Sequence, residues 1–167
     1  DLKNGMYVLF SGTACQVAGL KNYLKNIDTS KLYTCDLVCH GVPSPKIWKE
    51  YLDYCEKKYN GKVTNADFRD KTLGWNAHRE AIWVDNNKYI LKKYTYLFYE
   101  NDIERPSCYN CKYTNIDRPA DFTLADFWGI NDVAPEMNDG NGTSLILIRT
   151  DKGMKAFETI SSKLKLK

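Results

Sequence analysis

The fold of this chain follows from one stretch near its start, Met6-Tyr7-Val8-Leu9-Phe10-Ser11-Gly12-Thr13-Ala14-Cys15. Residues 6–10 form a continuous apolar run, which is typical of a strand buried on both faces. A short turn follows, and residues 14–24 carry apolar side chains at spacings of three and four, which predicts a helix. The stretch is therefore a strand, a tight turn and a helix, with Cys15 in the first turn of the helix.

The same order of elements recurs immediately downstream. Residues 32–38 predict a second strand, and Ser44 is typical of the N-cap of a helix over 45–58 that begins with proline. Two consecutive strand–turn–helix units predict a parallel strand pair. Ligands of such sheets bind beyond the carboxyl ends of the strands, where we expect Cys15 and Cys39 to lie.

The rest of the chain continues the alternation of strands and helices. Further strands are predicted over 63–69, 81–84, 88–94, 121–128 and 144–149, and further helices over 94–103 and 152–164. The predicted fold class is α/β, a mixed sheet with two N-terminal strand–turn–helix units and helices packed on the sheet. We expect a single α/β domain over residues 1–167, and we interpret the chain as a fragment of a longer protein because it opens almost directly on a strand and carries no initiator Met.

Composition excludes several classes of function. The net charge of +3 is too small to indicate a nucleic-acid-binding protein, and no apolar run approaches a membrane span of ~20 residues. The six cysteines could form disulfides, but a chain of 167 residues can bury a core without such cross-links. Reduced thiols in the cytoplasm are therefore the preferred interpretation.

Cys108 and Cys111 are the best candidates for metal binding. Two residues separate them, which places two thiolates on one tight turn. Zinc and iron–sulfur clusters normally take four protein ligands, so two more are required. Cys15 and Cys39 are the candidates, because both are predicted at the same edge of the sheet.

The remaining cysteines and histidines leave alternatives open. Cys35 lies within a predicted strand and Cys55 on the apolar stripe of a helix, so we expect both in the core. His40 could complete a Cys3His zinc site, whereas His78 is expected to be a loop residue. The residues alone thus allow an iron–sulfur cluster, a structural zinc ion, or a domain in which all cysteines are core or surface thiols.

Five motifs taken together resemble one known family. They are Phe10-Ser11-Gly12-Thr13-Ala14-Cys15-Gln16-Val17-Ala18-Gly19-Leu20, Cys39-His40-Gly41-Val42-Pro43-Ser44, Phe68-Arg69-Asp70-Lys71 with Gly74-Trp75, Arg105-Pro106-Ser107-Cys108-Tyr109-Asn110-Cys111-Lys112, and Asp126-Phe127-Trp128-Gly129-Ile130. In this order they are similar to the C-terminal domain of coenzyme F420 hydrogenase/dehydrogenase beta subunits, over about residues 6–157. Ala14 and Ala125 depart from the proline and glycine that are common in the family.

The resemblance implies an iron–sulfur flavoprotein that passes electrons between a [4Fe-4S] cluster, FAD and a soluble redox partner such as a deazaflavin or another reducible small molecule. It implies that the cluster is held by Cys15, Cys39, Cys108 and Cys111. It also implies FAD contacts, with amides and cations facing the pyrophosphate, at Gly12, Thr13, His40, Gly41, Arg69 and Lys71. The expected protein partner is a redox partner subunit or a ferredoxin-like module. The alternative is a zinc-stabilised structural or interaction domain without redox activity.

Overall fold

The computed structural model describes all residues, Asp1–Lys167. The strands are β1 (Val8–Thr13), β2 (Leu32–Leu37), β3 (Val63–Asp70), β4 (Arg79–Val84), β5 (Asn87–Leu91), β6 (Phe122–Asp126) and β7 (Ser144–Ile148). The helices are α1 (Ala14–Tyr23), α2 (Pro45–Tyr59), α3 (Lys93–Tyr99), α4 (Pro106–Tyr109), α5 (Ile130–Val133) and α6 (Asp151–Ser161). The predicted α/β class with strand–helix units and a mixed sheet is confirmed. None of the helices combines the length and the apolar character that crossing a bilayer requires.

The chain forms two compact units. The first comprises Asp1–Cys39 and Lys112–Lys167, and the second comprises His40–Cys111. The chain leaves the first unit directly after Cys39 and returns to it directly after Cys111. The expectation of a single domain over 1–167 within a longer protein stays a prediction.

A four-stranded mixed sheet organises the first unit. Its strand order is β1-β2-β6-β7, in which β1, β2 and β6 are parallel and β7 is antiparallel to β6. The predicted parallel pairing of the first two strands is confirmed, with Val8 opposite Leu32 and Thr13 opposite Leu37. Helix α1 packs against β1 and β2 and buries Val17 completely. The apolar face predicted from the spacing of residues 14–24 is thus the face of the helix that packs on the sheet.

Asp121 ties together β2, β6 and α6 from inside the first unit. Its carboxylate accepts bonds of 2.8 Å from both the amide and the hydroxyl of Thr34, and one of 2.7 Å from the hydroxyl of Thr150. Burial by itself raises the pKa of Asp121, but the bonds from Thr150 and Thr34 outweigh burial and hold that pKa below its usual value. The buried acid therefore remains ionised and fully bonded.

The second unit is an antiparallel sheet, β3-β4-β5, against which α2 and α3 pack. The β4–β5 hairpin turns at Asp85 and Asn86, since Val84 lies opposite Asn87. This agrees with the separate strands predicted over 81–84 and 88–94, which leave residues 85–87 for the turn. The core of the unit consists of Tyr51, Cys55, Ile82, Val84, Tyr94 and Ile103.

The predicted strand over 88–94 is too long, because β5 ends at Leu91 and α3 begins at Lys93. The strand ends early and the helix begins there because of Glu80, whose carboxylate is completely buried. It accepts the backbone N–H groups of Tyr94 at 2.9 Å and Thr95 at 3.2 Å, which lie in the first turn of α3. An acid from another strand thus caps this helix, and no local sequence pattern reports such a contact.

Candidate functional site

The carboxyl ends of three parallel strands meet at one edge of the first unit. Thr13 ends β1, Leu37 ends β2 and Asp126 ends β6. Cys15 follows β1 in the first turn of α1, and Cys39 lies two residues beyond the end of β2. Both of these cysteines are exposed. The structure therefore places them at the edge of the sheet where the sequence predicted them.

Gln16 closes the turn between β1 and α1. The amide of Thr13 donates to Gln16 Oε1 at 2.8 Å, and the Thr13 hydroxyl lies 3.1 Å from Cys15 Sγ. A Cβ placed on Gly12 would lie 2.9 Å from Gln16 Oε1, so the glutamine side chain lies against this glycine. The Thr13 amide, predicted to face a pyrophosphate, is thus already bonded. Sequence reasoning missed Gln16, although the Thr-x-x-Gln spacing is that of a capping box.

A buried ion pair fixes the end of β2 just before Cys39. Arg118 Nε donates to Asp36 Oδ1 at 3.1 Å, and the two side chains are 6% and 0% exposed. The same guanidinium donates to the carbonyl oxygens of Leu37 at 2.6 Å and Tyr113 at 2.9 Å. Sequence reasoning missed this pair, whose only local indication is an acid within an otherwise largely apolar strand.

In the second unit, the loop that contains His40 and Gly41 runs beside the start of α4. Ser44 N–H donates to Ile103 O at 2.7 Å, and Arg105 N–H donates to Val42 O at 2.9 Å. These two bonds pair residues 42–44 with residues 103–105 in antiparallel fashion. The loop that follows Cys39 in sequence is therefore attached to the segment that carries the Cys-x-x-Cys turn.

Gly41 is the point of closest approach in this loop. A Cβ at this position would lie 2.7 Å from Glu104 Cγ and 3.7 Å from Cys108 Cβ. The structure thus brings together Gly41 and Cys108, two of the residues singled out from the sequence. Only a glycine fits here without displacing Glu104.

Glu104 is a buried acid that sequence reasoning missed. It is 6% exposed, and its Oε1 has no hydrogen-bond partner. This oxygen lies 3.8 Å from His40 Nε2, while Oε2 accepts a bond of 3.2 Å from the Tyr109 hydroxyl. His40 Nε2 lies 2.9 Å from the carbonyl oxygen of Phe98, which can only accept, so this nitrogen carries the proton.

Cys108 and Cys111 lie on one helical turn. Proline occupies the first position of α4, and the amide of Cys108 donates to Arg105 O at 2.8 Å. The amide of Cys111 donates to Cys108 O at 3.2 Å, which continues the turn. Both thiols are half-exposed, and no disulfide joins any two of the six cysteines. The turn therefore has the spacing and the access that a metal centre requires.

Cys35 and Cys55 are unsuited to metal binding. Cys55 is completely buried, as predicted, and Cys35 is half-buried within β2. Burial raises the pKa of both thiols, which favours the protonated form that does not bind metals. Within each unit, no group of three or more His, Cys, Asp or Glu side chains is arranged to hold a metal ion. The four-cysteine site stays a prediction, because each unit contributes only two of its cysteines.

An aromatic cavity of about 220 Å³ lies within the second unit. Its lining residues are Pro43, Phe68, Arg69, Tyr94, Thr95, Phe98 and Tyr99. Arg69, a predicted FAD contact, is the one charged residue among them. The ring of His40 packs 4.7 Å from the ring of Phe98 and 5.4 Å from that of Tyr99, between centroids. The cavity offers flat apolar walls that suit a planar aromatic ligand.

Two of the predicted FAD contacts converge on Trp75. The guanidinium carbon of Arg69 lies 5.3 Å from the centroid of the Trp75 ring, and Lys71 Nζ lies 3.7 Å from it. Cation–π attraction thus holds two positive charges at one indole. Arg69 lines the aromatic cavity and shares the Trp75 indole with Lys71, and two such cations suit a ligand that carries phosphate groups.

Comparison with known proteins identifies a family that matches this chain and a solved structure that is similar to it. Residues 5–167 match the family described as the C terminus of the beta subunit of coenzyme F420 hydrogenase/dehydrogenase. Among curated proteins none matches significantly. A chain of the F420-reducing [NiFe] hydrogenase complex from Methanosarcina barkeri aligns with 94% of this chain at a TM-score of 0.51 and 16% identity. At that identity the likeness shows the fold alone, and the match spans 49% of the hydrogenase chain, about half its length.

Proposed function

Because this chain belongs to the family of C-terminal domains of coenzyme F420 hydrogenase/dehydrogenase beta subunits, we propose that it is the redox domain of an iron–sulfur flavoprotein. In this role it passes electrons between a [4Fe-4S] cluster, FAD and a soluble redox partner. The family is named for hydrogenases and dehydrogenases, which are oxidoreductases. A deazaflavin or another reducible small molecule is the proposed electron donor or acceptor. A redox partner subunit or a ferredoxin-like module is the proposed protein partner.

The observation that best supports this proposal is the packing of Gly41 against the turn that contains Cys108 and Cys111. A Cβ on Gly41 would lie 3.7 Å from Cys108 Cβ, so two motifs that are far apart in sequence share one location in the second unit. Cys39 directly precedes this loop in the chain. The arrangement supports a joint role for the two motifs in holding a cofactor, because neither is needed for the core of the unit.

The proposed cluster ligands are Cys15, Cys39, Cys108 and Cys111. A [4Fe-4S] cluster supplies one-electron transfer and is normally held by four thiolates. The donor set fits this group, since these four thiols are exposed or half-exposed, whereas burial disfavours ionisation of Cys35 and Cys55. The proposed location is the cytoplasm, where thiols such as these stay reduced.

We assign the flavin ring to the aromatic cavity of the second unit and its pyrophosphate to the cations beside Trp75. Phe98 and Tyr99 form apolar walls, and Arg69 links the cavity to the cation pair that it forms with Lys71. His40 and Gly41 adjoin those walls, and Gly12 and Thr13 are further proposed contacts. A contact from the Thr13 amide requires Gln16 Oε1 to release that N–H group.

The first experiment is anaerobic purification of the full-length protein, followed by a visible spectrum and analysis of iron, sulfide and flavin. About four irons and four sulfides per chain with bound FAD are expected. The double variants Cys108→Ser/Cys111→Ser and Cys15→Ser/Cys39→Ser should each lose the cluster absorbance. Cys35→Ser is the matched control and should retain it. A colourless protein with stoichiometric zinc would replace the proposal with a structural zinc domain.

A second experiment tests the flavin assignment. Arg69→Gln/Lys71→Gln should weaken FAD binding about hundredfold or more, since it removes two hydrogen bonds to charged groups that contribute about 1.5–3 kcal/mol each. Lys25→Gln, an exposed lysine of the first unit, is the control and should leave FAD affinity unchanged. Flavin fluorescence titration measures the affinity for FAD. Equal affinity in the wild type, the double variant and Lys25→Gln would show that Arg69 and Lys71 do not bind the flavin.

A further inference from the structure

The turn between β1 and α1 places one hydroxyl between two possible acceptors. Thr13 Oγ1 lies 3.1 Å from Cys15 Sγ and 3.1 Å from Gln16 Oε1. The amide oxygen of Gln16 can only accept a hydrogen bond, whereas a thiol can also donate one. When Cys15 is a thiol, its S–H therefore donates to the Thr13 hydroxyl, and the hydroxyl donates to Gln16 Oε1.

This chain of hydrogen bonds cannot persist when Cys15 binds a metal. The species that binds is the thiolate, whose sulfur has no proton to donate. Both neighbours of the Thr13 hydroxyl are then acceptors, and the hydroxyl has a single proton for the two. The sulfur is favoured, because a hydrogen bond to an ionised acceptor is about twice as strong as one between neutral groups. Gln16 is exposed, so water replaces the donor that its side chain loses.

The backbone holds the hydroxyl and the sulfur in place. Thr13 is the last residue of β1 and lies opposite Leu37 of β2 in the sheet. Ala14 and Val17, on either side of Cys15 in α1, are buried at 3% and 0% exposure and fix the first turn of the helix. The hydroxyl therefore stands beside the sulfur before any cofactor binds, and the proton can change acceptor by rotation of the Thr13 hydroxyl alone.

We propose that the Thr13 hydroxyl donates a hydrogen bond to Cys15 Sγ in the loaded protein and thereby raises the reduction potential of the cluster. This inference rests on the proposed function, in which Cys15 is a cluster ligand. Reduction adds negative charge that the thiolate ligands share, so a donor at the sulfur stabilises the reduced form more than the oxidised form. Hydrogen bonds to the sulfurs are among the factors that set the potential of such clusters. Thr13 is thus a positioning residue that acts through Cys15.

A redox titration of the full-length protein, purified anaerobically, tests the inference. The signal is the electron paramagnetic resonance of the reduced cluster. Thr13→Val removes the hydroxyl but keeps the branched shape and the backbone amide. At a fixed potential, the ratio of reduced to oxidised cluster should fall about threefold to tenfold, which is a decrease in midpoint of about 30–60 mV for a one-electron couple. Thr13→Ala, a second variant without the hydroxyl, should shift the midpoint in the same direction.

Two further variants separate the hydroxyl from the shape of the turn. Thr13→Ser keeps the hydroxyl, so its midpoint should lie closer to that of the wild type than to that of Thr13→Val. Gln16→Met removes the competing amide oxygen from the same turn and leaves the hydroxyl free to donate to sulfur. Its midpoint should not fall below that of the wild type. A decrease in Gln16→Met as large as that in Thr13→Val would assign the effect to the turn and overturn the inference.

Iron and sulfide analysis of each protein distinguishes this inference from the proposed function. About four irons per chain, with equal midpoints in the wild type, Thr13→Val and Thr13→Ala, would overturn the role of the hydroxyl and leave the proposed function intact. A wild-type protein that holds no cluster after anaerobic reconstitution would overturn both.

Discussion

Gly41 and Glu104 pack directly against each other, since a Cβ at residue 41 would lie 2.7 Å from Glu104 Cγ. The acid is buried, and the antiparallel bridge between Pro43 and Glu104 fixes the two backbones. The conformation of the loop after Cys39 is therefore decided by a side chain that lies far along the sequence.

Gly41→Ala should destabilise the protein by about 1–3 kcal/mol, because overpacking against Glu104 forces side chain or backbone to move. The backbone φ of 154° at Gly41 is a further cost, because side chains rarely adopt it. Urea unfolding measures the change. Gly19→Ala is the control: no heavy atom lies within 4 Å of its added Cβ, so it should be neutral or stabilising by up to about 1 kcal/mol. Equal stability of the two variants would mean that Glu104 moves aside freely.

Glu80→Ala should destabilise the protein by about 3 kcal/mol or more, since it leaves several buried donors without an acceptor. Besides the α3 amides, Glu80 accepts a bond of 2.8 Å from the Tyr51 hydroxyl. Burial and this carboxylate raise the pKa of Tyr51 well above its usual range, so the phenol stays a donor. Tyr51→Phe, which removes one donor and leaves the others bonded, should cost only about 1 kcal/mol in the same urea titration. A larger loss for Tyr51→Phe than for Glu80→Ala would contradict this assignment.

Arg118→Met should cost about 3–5 kcal/mol of unfolding free energy, because it leaves the carboxylate of Asp36 buried without its cation. Arg149→Met is the matched control, since Arg149 pairs with Asp117, whose side chain is 92% exposed. Loss of such a surface pair should cost about 0–1 kcal/mol. Thermal or urea unfolding of both variants decides the comparison. Similar losses would mean that the Arg118–Asp36 pair contributes no more than a surface pair.

Acid should weaken the second unit through Asp70. Hydrogen bonds from Lys88 and Thr72 lower the pKa of Asp70 from 3.8 to about 2. A carboxyl group whose pKa is lower in the folded state stabilises that state above its unfolded pKa, and this contribution is lost as the pH falls from about 4 to about 2. Stability measured by urea unfolding should therefore fall over this range in the wild type.

Two variants test the source of this acid dependence. Asp70→Asn removes the titrating group, and Lys88→Gln removes the cation that bonds to it at 2.5 Å. Both should be less stable than the wild type at neutral pH and should lose less stability between about pH 4 and pH 2. An unchanged acid dependence in both variants would assign the effect to another carboxyl group.

Much of the fold was predictable because it depends on local patterns of apolar residues in the sequence. The apolar run predicted a strand near the start of the chain, and the spacing of residues 14–24 predicted α1. The expectation that this strand is buried on both faces was wrong, because Leu9 is 70% exposed. The parallel pair followed from the repeat of strand and helix. The boundary after β5 was not predictable, because Glu80 reaches it from a neighbouring strand. No helix was predicted between the strands over 121–128 and 144–149, where the structure has α5 (Ile130–Val133) and the 3-10 turn Pro135–Met137. Acidic and asparagine-rich composition did not report these turns.

The parts of the candidate site that depend on residue type and spacing were predictable. Cysteine spacing identified Cys108 and Cys111, and the strand ends placed Cys15 and Cys39 at one sheet edge. The aromatic cavity could not be predicted, because its walls come from α3, β3 and the loop before α2. The four-cysteine cluster and the FAD contacts stay predictions for the spectroscopic and binding experiments.

The sequence by itself determined the α/β class, the parallel strand pair and the family, because these depend on periodicity and on the identities of neighbouring residues. The tertiary structure alone decided which polar groups are buried. Glu80, Glu104 and the Arg118–Asp36 pair look like ordinary surface charges in sequence, yet they cap a helix, line the cysteine turn and fix a strand end. The physical reason is that burial and hydrogen bonding are properties of neighbours brought together by folding, whereas a sequence reports directly only on residues that are close along the chain.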